Sequence, residues 1–149
     1  MIKSNFKLAT LTAITLAAFS ISSSASAQQA ENVWDGVYTK AQAERGKTLY
    51  EQHCSACHGV QLQGIEEAPT LKQGAFVYNW DTMPVSVLFQ RIRDTMPLDD
   101  PKGTSRKIKA DILAYIMSQN NFPEGQKMLP YQNAQLKRIQ WNALKPEEE

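Results

Sequence analysis

The stretch that decides the fold is Cys54-Ser55-Ala56-Cys57-His58, in which two cysteines separated by two residues are followed directly by a histidine. The chain has no other cysteine. On one helical turn, two thiols at this spacing reach the two vinyl groups at one edge of a porphyrin and form thioethers, and the next residue places its imidazole under the iron. The spacing is typical of covalent c-type haem attachment. The sequence therefore predicts one haem c, bound through Cys54 and Cys57, with His58 as a ligand to the iron.

Two other uses of this pentapeptide fit the sequence less well. A redox-active disulfide between Cys54 and Cys57, as in thioredoxin-like proteins, needs a strand–helix context, whereas here helix formers lead into a loop. A structural zinc site needs a fourth ligand, usually from a second Cys or His pair. The only candidate is His53, which is adjacent to Cys54 and poorly placed.

The second axial ligand of the iron is expected to be a methionine. The chain has two histidines, and His53 lies on the same short segment as His58, so it is not expected to reach the opposite face of the iron. Methionine is the usual remaining choice, and His/Met ligation raises the reduction potential. The candidates beyond the first 27 residues are Met83, Met96, Met117 and Met128.

Position along the chain favours one of these methionines without excluding another. Met83 and Met96 both lie in Thr-Met-Pro triplets. Met83 stands at the start of a predicted helix, where its backbone should be committed to that helix, and Met96 stands at its end, before a turn-rich loop that can lay a thioether across the haem. Met96 is favoured, with Met83 as the alternative. Met117 is expected to pack along the last helix, and Met128 lies in a weakly structured region.

The N-terminus has the three-part pattern of a secretory signal. Two early lysines precede an apolar run over residues 8–21, which leads to Ala25-Ser26-Ala27. Such a pattern predicts cleavage after Ala27, and the run is shorter than the ~20 residues that span a bilayer. We expect the product to lie outside the cytoplasm and to have no membrane span.

Composition and charge exclude several other classes of function. The hydrophobic fraction of 42% and charged fraction of 21% are ordinary for a globular protein, and the formal net charge of +1 gives no bias toward nucleic acid. No further set of catalytic residues is evident. The remaining charged pairs are interpreted as solvated, with Asp99-Asp100 and Glu66-Glu67 in loops and Lys107 with Lys109 on an exposed helix face.

The hydrophobic pattern predicts an all-α domain with long loops and no confident strand. A long loop is expected over residues 60–79. The first predicted helix covers 40–53, with Thr39 and Gln42 as a capping box. The second is capped by Asp81 or Thr82, has Pro84 in its first turn and ends at Met96, which precedes a proline. The third covers 105–118 and is capped by Thr104 or Ser105, and a weaker helix is predicted over 133–144.

The chain resembles class I c-type cytochromes, in particular the small periplasmic ones associated with quinoprotein alcohol dehydrogenases. The resemblance covers about residues 43–125. It rests on Gly46 with Tyr50, residues 54–59, Ala68-Pro69-Thr70-Leu71, Trp80, Arg93-Asp94-Thr95-Met96-Pro97, residues 112–116 and Asn121-Phe122-Pro123. It implies the class I cytochrome c fold, in which three to five helices wrap one covalently attached haem. The predicted organisation is a signal over 1–27, an irregular lead-in over 28–38, a cytochrome c domain over 39–125 and an extension over 126–149 whose role the resemblance does not supply.

The resemblance also implies roles for individual residues. The carbonyl of Pro69 should accept a hydrogen bond from the free ring nitrogen of His58, and Leu71 should pack against the haem. Met96 matches the axial methionine of the family. Trp80 should touch the haem or a propionate, with a simple core aromatic as the alternative. The first helix should cross the last one, with Gly46 and Tyr50 meeting the region of residues 114–115.

The function implied is electron transfer rather than catalysis. Two axial ligands leave the iron no open position, and the donor is expected to be a periplasmic dehydrogenase, such as a quinoprotein, with a terminal oxidase or another cytochrome as acceptor. One alternative is a permanent haem c subunit of a dehydrogenase, in which Trp34, Trp141 and the C-terminal segment cover the contact surface. The other is a peroxidase-like haem enzyme in which the bond to Met96 is labile.

Overall fold

The computed structural model describes residues 31–147. The predicted secretory signal lies outside the described residues. Within 31–147, no helix is long and apolar enough to cross a membrane.

The described chain is helical, as predicted. Its elements are β1 (Glu31–Asn32), a 3-10 turn (Val33–Asp35), α1 (Lys40–His53), α2 (Ser55–His58), α3 (Gly74–Asn79), α4 (Val85–Thr95), α5 (Arg106–Gln119), α6 (Asn133–Leu136) and β2 (Ile139–Gln140). Apart from α2 and α6, which have four residues each, there are four helices in this part of the chain, within the expected three to five. The two strands pair in parallel over two residues.

The bounds of α1 are those predicted, and α5 begins one residue later than predicted. The hydroxyl of Thr39 accepts a hydrogen bond from the backbone N–H of Gln42 at 3.2 Å, and the hydroxyl of Ser105 accepts one from Ile108 at 3.2 Å. Each hydroxyl satisfies a first-turn N–H that has no partner within its helix, which is why these residues begin helices.

The predicted loop over 60–79 is wrong at its end, because α3 occupies residues 74–79. This helix buries Phe76 and Val77. It has six residues, too few to show a helical period in the sequence. The weak helix predicted over 133–144 is also too long, because α6 ends at Leu136 and β2 follows.

The sequence predicts the start of α4 two or three residues too early. Neither Asp81 nor Thr82 caps it; Pro84 is its N-cap, and Thr82 has a φ of 61°, which lies outside the helical region. The chain before α4 instead binds the C-terminal segment, since Thr82 N–H donates to the carbonyl of Trp141 and Trp141 N–H donates to that of Met83. The end of α4 at Met96 is confirmed.

The predicted crossing of the first and last long helices is confirmed. A Cβ added at Gly46 would lie 1.8 Å from the carbonyl oxygen of Asp111 and 3.0 Å from the Cβ of Tyr115, so only glycine allows this approach. The rings of Tyr50 and Tyr115 are 5.4 Å apart. The salt bridge between Arg45 and Asp111, at 3.2 Å, joins the same two helices.

Residues after 125 pack into the same core as the helices. The amide of Gln42, in α1, donates to the carbonyl of Leu129 at 3.0 Å and accepts from its N–H at 2.6 Å. The buried apolar residues of this segment are Leu129, Leu136, Ile139, Trp141 and Ala143. Trp141 is 0% exposed and Trp34 donates its indole N–H to the carbonyl of Asn142 at 2.9 Å. The indole of Trp141 therefore packs inside the domain, and the subunit alternative stays a prediction.

Candidate haem-attachment site

The pentapeptide lies where α1 turns into α2. Cys54 ends α1, with its N–H donating to the carbonyl of Tyr50 at 2.8 Å, and its own carbonyl accepts from the N–H groups of Cys57 at 3.2 Å and His58 at 2.9 Å. Both thiols therefore belong to a single helical turn. Cys54 is half-buried, Cys57 is exposed, and neither is in a disulfide.

The ring of His58 is held by the loop that follows. The side chain is buried, and its Nδ1 lies 2.9 Å from the carbonyl oxygen of Pro69. A carbonyl only accepts, so Nδ1 carries the proton and the lone pair is left on Nε2. Among residues 31–147, Nε2 has no hydrogen-bond partner. Histidines that bind metals commonly have one nitrogen held in this way, which fixes the tautomer and the ring orientation.

Side chains from α1 and α5 fix the loop on both sides of Pro69. The hydroxyl of Tyr50 donates to the carbonyl of Gly59, directly after His58, at 2.6 Å. The amide of Asn120, at the end of α5, donates to the carbonyl of Leu71 at 2.9 Å and accepts from the N–H of Gln73 at 2.6 Å. The carbonyl that holds His58 is thus positioned by contacts to both long helices.

The protonation of Cys54 does not favour a redox-active disulfide. Burial raises the pKa of this thiol to about 11; Cys57 acts in the same direction and Lys109 opposes it. Reactive cysteines of thioredoxin-like proteins have a lowered pKa, because the thiolate is the nucleophile. In the described range there is no group of three or more His, Cys, Asp or Glu side chains that could hold a metal ion.

Met96 and Met83 differ in how their backbones are held. Met96 is the partly exposed C-cap of α4, with extended backbone (φ −128°, ψ 140°) that leads into the following loop. Met83 is 40% exposed, but it lies before α4 rather than in it, contrary to prediction. Its N–H donates to Trp80 and its carbonyl accepts from Trp141, so its backbone is committed to the C-terminal segment instead.

The other two methionines are placed differently. Met117 is fully buried, which confirms its interpretation as a packing residue, whereas Met128 is 59% exposed with its sulfur 3.9 Å from a guanidinium nitrogen of Arg45. Leu71 and Trp80 are partly buried against the core, as is Cys54. The contacts of Leu71 and Trp80 with a haem stay predictions.

One side chain near the site is buried where the sequence predicts exposure. Lys109 was predicted on an exposed face, yet it is 2% exposed, and its ammonium donates to the backbone carbonyls of Arg93 at 3.0 Å, Ile92 at 3.4 Å and Pro101. The signal for its burial was its spacing, because Lys109 stands three and seven residues before Ile112 and Ile116 and so shares their apolar face. Lys107, Asp99, Asp100, Glu66 and Glu67 are exposed as predicted.

These residues fit a covalently attached haem. Two free thiols lie on one helical turn, the buried imidazole beside them leaves Nε2 available, and a partly exposed methionine ends a helix. Cys54 and Cys57 are the residues that would form the thioethers, His58 would bind the iron, and the donor set of one nitrogen and one thioether sulfur suits haem iron.

The comparisons with known proteins agree with this chemistry. Residues 43–145 match the protein family described as Cytochrome c. The chain is also similar to cytochrome c-551 of Bacillus subtilis (strain 168), with 31% identity over 84 residues that cover 56% of this chain and 69% of the relative. No solved structure matches the chain.

Proposed function

Because the chain belongs to the cytochrome c family, we propose that it is a soluble, single-haem electron carrier of the periplasm with His58 and Met96 as its axial ligands. Family membership supports a haem electron carrier and gives no indication of catalysis. The placement outside the cytoplasm rests on the signal pattern that ends at Ala27. Mass spectrometry of peptides from the exported protein should give Gln28, free or cyclised to pyroglutamate, as the first residue.

The observation that carries the proposal is the imidazole of His58, which is buried, held at Nδ1 by Pro69 and adjacent to two free thiols on the same turn. When bound, the haem supplies a one-electron couple between ferric and ferrous iron. Covalent attachment through Cys54 and Cys57 keeps it in the protein outside the cell. The fixed ring of His58 and the hydrogen-bonded loop around it limit rearrangement when the charge of the site changes, which favours rapid electron transfer.

Whether Met96 binds the iron distinguishes an electron carrier from a haem enzyme. His58 and Met96 would together hold the iron, and they would leave it no coordination position for oxygen or peroxide. If Met96 were absent from the iron at neutral pH, a peroxidase-like activity would be the better proposal. The weak absorption band of a sulfur–iron bond in the oxidised protein separates the two.

Exposed apolar residues close to the proposed ligands fit a transient redox encounter. Val60, two residues after His58, is 68% exposed, and Leu98, two residues after Met96, is 78% exposed. Encounters of this kind bury little surface. We propose a periplasmic dehydrogenase as the electron donor, of the quinoprotein type that the sequence resemblance implies, and a terminal oxidase or another cytochrome as the acceptor. A permanent complex would instead keep the protein from purifying as a monomer.

The attachment chemistry is tested by mass. The exported protein, made in a host that matures c-type cytochromes, should be heavier than its polypeptide by one haem and should titrate reversibly with one electron. Replacing both cysteines (Cys54→Ala with Cys57→Ala) should leave little mature holoprotein, whereas the control Ser55→Ala, between them, should give the normal yield. A colourless wild-type protein with the mass of the bare polypeptide would contradict the proposal.

A further inference from the structure

Lys109 is a buried cation whose partners are backbone carbonyls. It lies in the first turns of α5, is 2% exposed, and in the described residues it has no salt bridge to a carboxylate. An ammonium has three N–H donors, and three carbonyls accept from it, those of Ile92, Arg93 and Pro101. Burying a charge is costly even when it is hydrogen-bonded, and an apolar side chain of similar size would fill the position at lower cost.

The carbonyls that Lys109 binds flank Met96 in the sequence. Ile92 and Arg93 belong to the last turn of α4, and Pro101 comes after the loop. One ammonium therefore binds both ends of the segment 94–100, which consists of the last two residues of α4 and the turns after it and which we name the Met96 loop.

The sequence of this loop explains why a donor is needed at Arg93. In a continuing helix, the carbonyl of residue 93 would accept from the N–H of residue 97. Residue 97 is proline and has no N–H. The ammonium of Lys109, 3.0 Å from the Arg93 carbonyl, takes the place of that donor.

The helix that carries Lys109 is also the helix that holds the other side of the site. α5 packs on α1 at Gly46 and Tyr50, and Tyr50 contacts Gly59 directly after His58. Asn120, at the other end of α5, fixes the loop that contains Pro69. The segments that carry the two proposed axial ligands are thus both held in position by contacts with α5.

We propose that Lys109 is a positioning residue: by binding both ends of the Met96 loop, it holds Met96 in place as the axial ligand and resists its displacement. The inference rests on the proposed function, because it takes Met96 as a ligand of the iron. Lys109 would act through the backbone carbonyls of Ile92, Arg93 and Pro101, to which its ammonium donates.

The test measures how easily an added ligand replaces Met96. Oxidised holoprotein is titrated with imidazole, and loss of the sulfur–iron absorption band gives the concentration for half-displacement. Lys109→Met removes the donors and keeps an apolar stem of similar length. Lys107→Met, at an exposed position of the same helix, is the matched control. Guanidinium unfolding of each variant, followed by circular dichroism, measures global stability separately.

We expect half-displacement of Met96 at an imidazole concentration about tenfold lower in Lys109→Met, since hydrogen bonds to charged groups commonly move equilibria by that factor or more. Lys107→Met should match the wild type. Lys109→Gln, which keeps two N–H donors without the charge, should fall between them, and it takes the place of Lys109→Met if that variant yields no holoprotein.

An unchanged half-displacement concentration at position 109 would overturn the inference, even if the unfolding midpoint falls, because the role would then be structural alone. An equal change in Lys107→Met would overturn it as well, by showing a general effect of charge. A wild-type protein without the sulfur–iron band would instead refute the ligation of Met96 and, with it, the function proposed above.

Discussion

Replacing Trp141 with alanine should destabilise the whole domain, although the residue lies in a segment that the sequence leaves without a role. The indole is 0% exposed, its ring packs edge-to-face on Phe76 and Phe122, and its N–H donates to the carbonyl of Val77 at 2.9 Å. Truncating a buried tryptophan costs about 3–5 kcal/mol. The carbonyl of Val77 also loses its donor, which adds about 1 kcal/mol if water does not replace it.

The expected loss is therefore about 4–6 kcal/mol, a large part of the roughly 5–15 kcal/mol that stabilises a domain of this size. Guanidinium unfolding of the holoprotein, followed by circular dichroism and by haem absorption, measures it. Leu144→Ala is the control, because Leu144 is 68% exposed three residues later and should change the free energy of unfolding by less than about 0.5 kcal/mol. If Trp141→Ala loses no more than Leu144→Ala, the C-terminal segment does not belong to the core.

Three further predictions concern the ligands, the helix crossing and high pH. Met96→Ala should lower the reduction potential by on the order of 0.1 V or more with the haem still attached, because axial ligands set haem potentials over a range of about 0.8 V. Met83→Ala should change the potential much less. A potentiometric titration that shows the reverse order would identify Met83 as the ligand. Gly46→Ala should lower the free energy of unfolding, measured in guanidinium, by about 1–3 kcal/mol, since the added Cβ would lie 1.8 Å from the carbonyl oxygen of Asp111. A higher free energy of unfolding, from the better helix propensity of alanine, would show that the two helices can move apart. Burial raises the pKa of Tyr38 to about 12, so the contribution of this residue to stability is present below pH 10 and is lost between about pH 10 and 12. Across that range the free energy of unfolding of Tyr38→Phe should fall less steeply with pH than that of the wild type, by up to about 1.4 kcal/mol per pH unit. Parallel pH dependences of the two proteins would contradict this.

The parts of the fold that the sequence predicts well are those fixed by local chemistry. Thr39 and Ser105 begin helices because a hydroxyl can bind a first-turn N–H, and Met96 ends one because a proline follows. By contrast, the backbone conformation of Thr82 and Met83 is set by hydrogen bonds to Trp141, about 60 residues away. No local pattern encodes such a partner, and for this reason the predicted start of α4 differs from the observed one by two or three residues.

The same division applies to the candidate site. The attachment pentapeptide is contiguous, so its chemistry can be inferred from five letters. The contact between Pro69 and His58 follows only from the resemblance to a family, because the two residues lie eleven positions apart across an irregular loop. The clamp formed by Asn120 on Leu71 and Gln73 could not be predicted, because it depends on where the end of α5 meets that loop.

Lys109 shows why charge alone is an unreliable guide to exposure. A lysine two residues after Lys107 suggests a solvated face, because charged residues usually lie at the protein surface. Its register with Ile112 and Ile116 indicated the opposite, and register prevailed because the end of α4 offers a carbonyl that proline leaves without a helical donor. A cation on an apolar stripe, opposite a helix that ends at proline, can therefore be interpreted from sequence as a capping group for that helix. In this protein the capped helix ends at Met96, the proposed ligand. The buried charge, which costs free energy, therefore lies beside the segment in which the position of one sulfur atom decides whether the iron is bound.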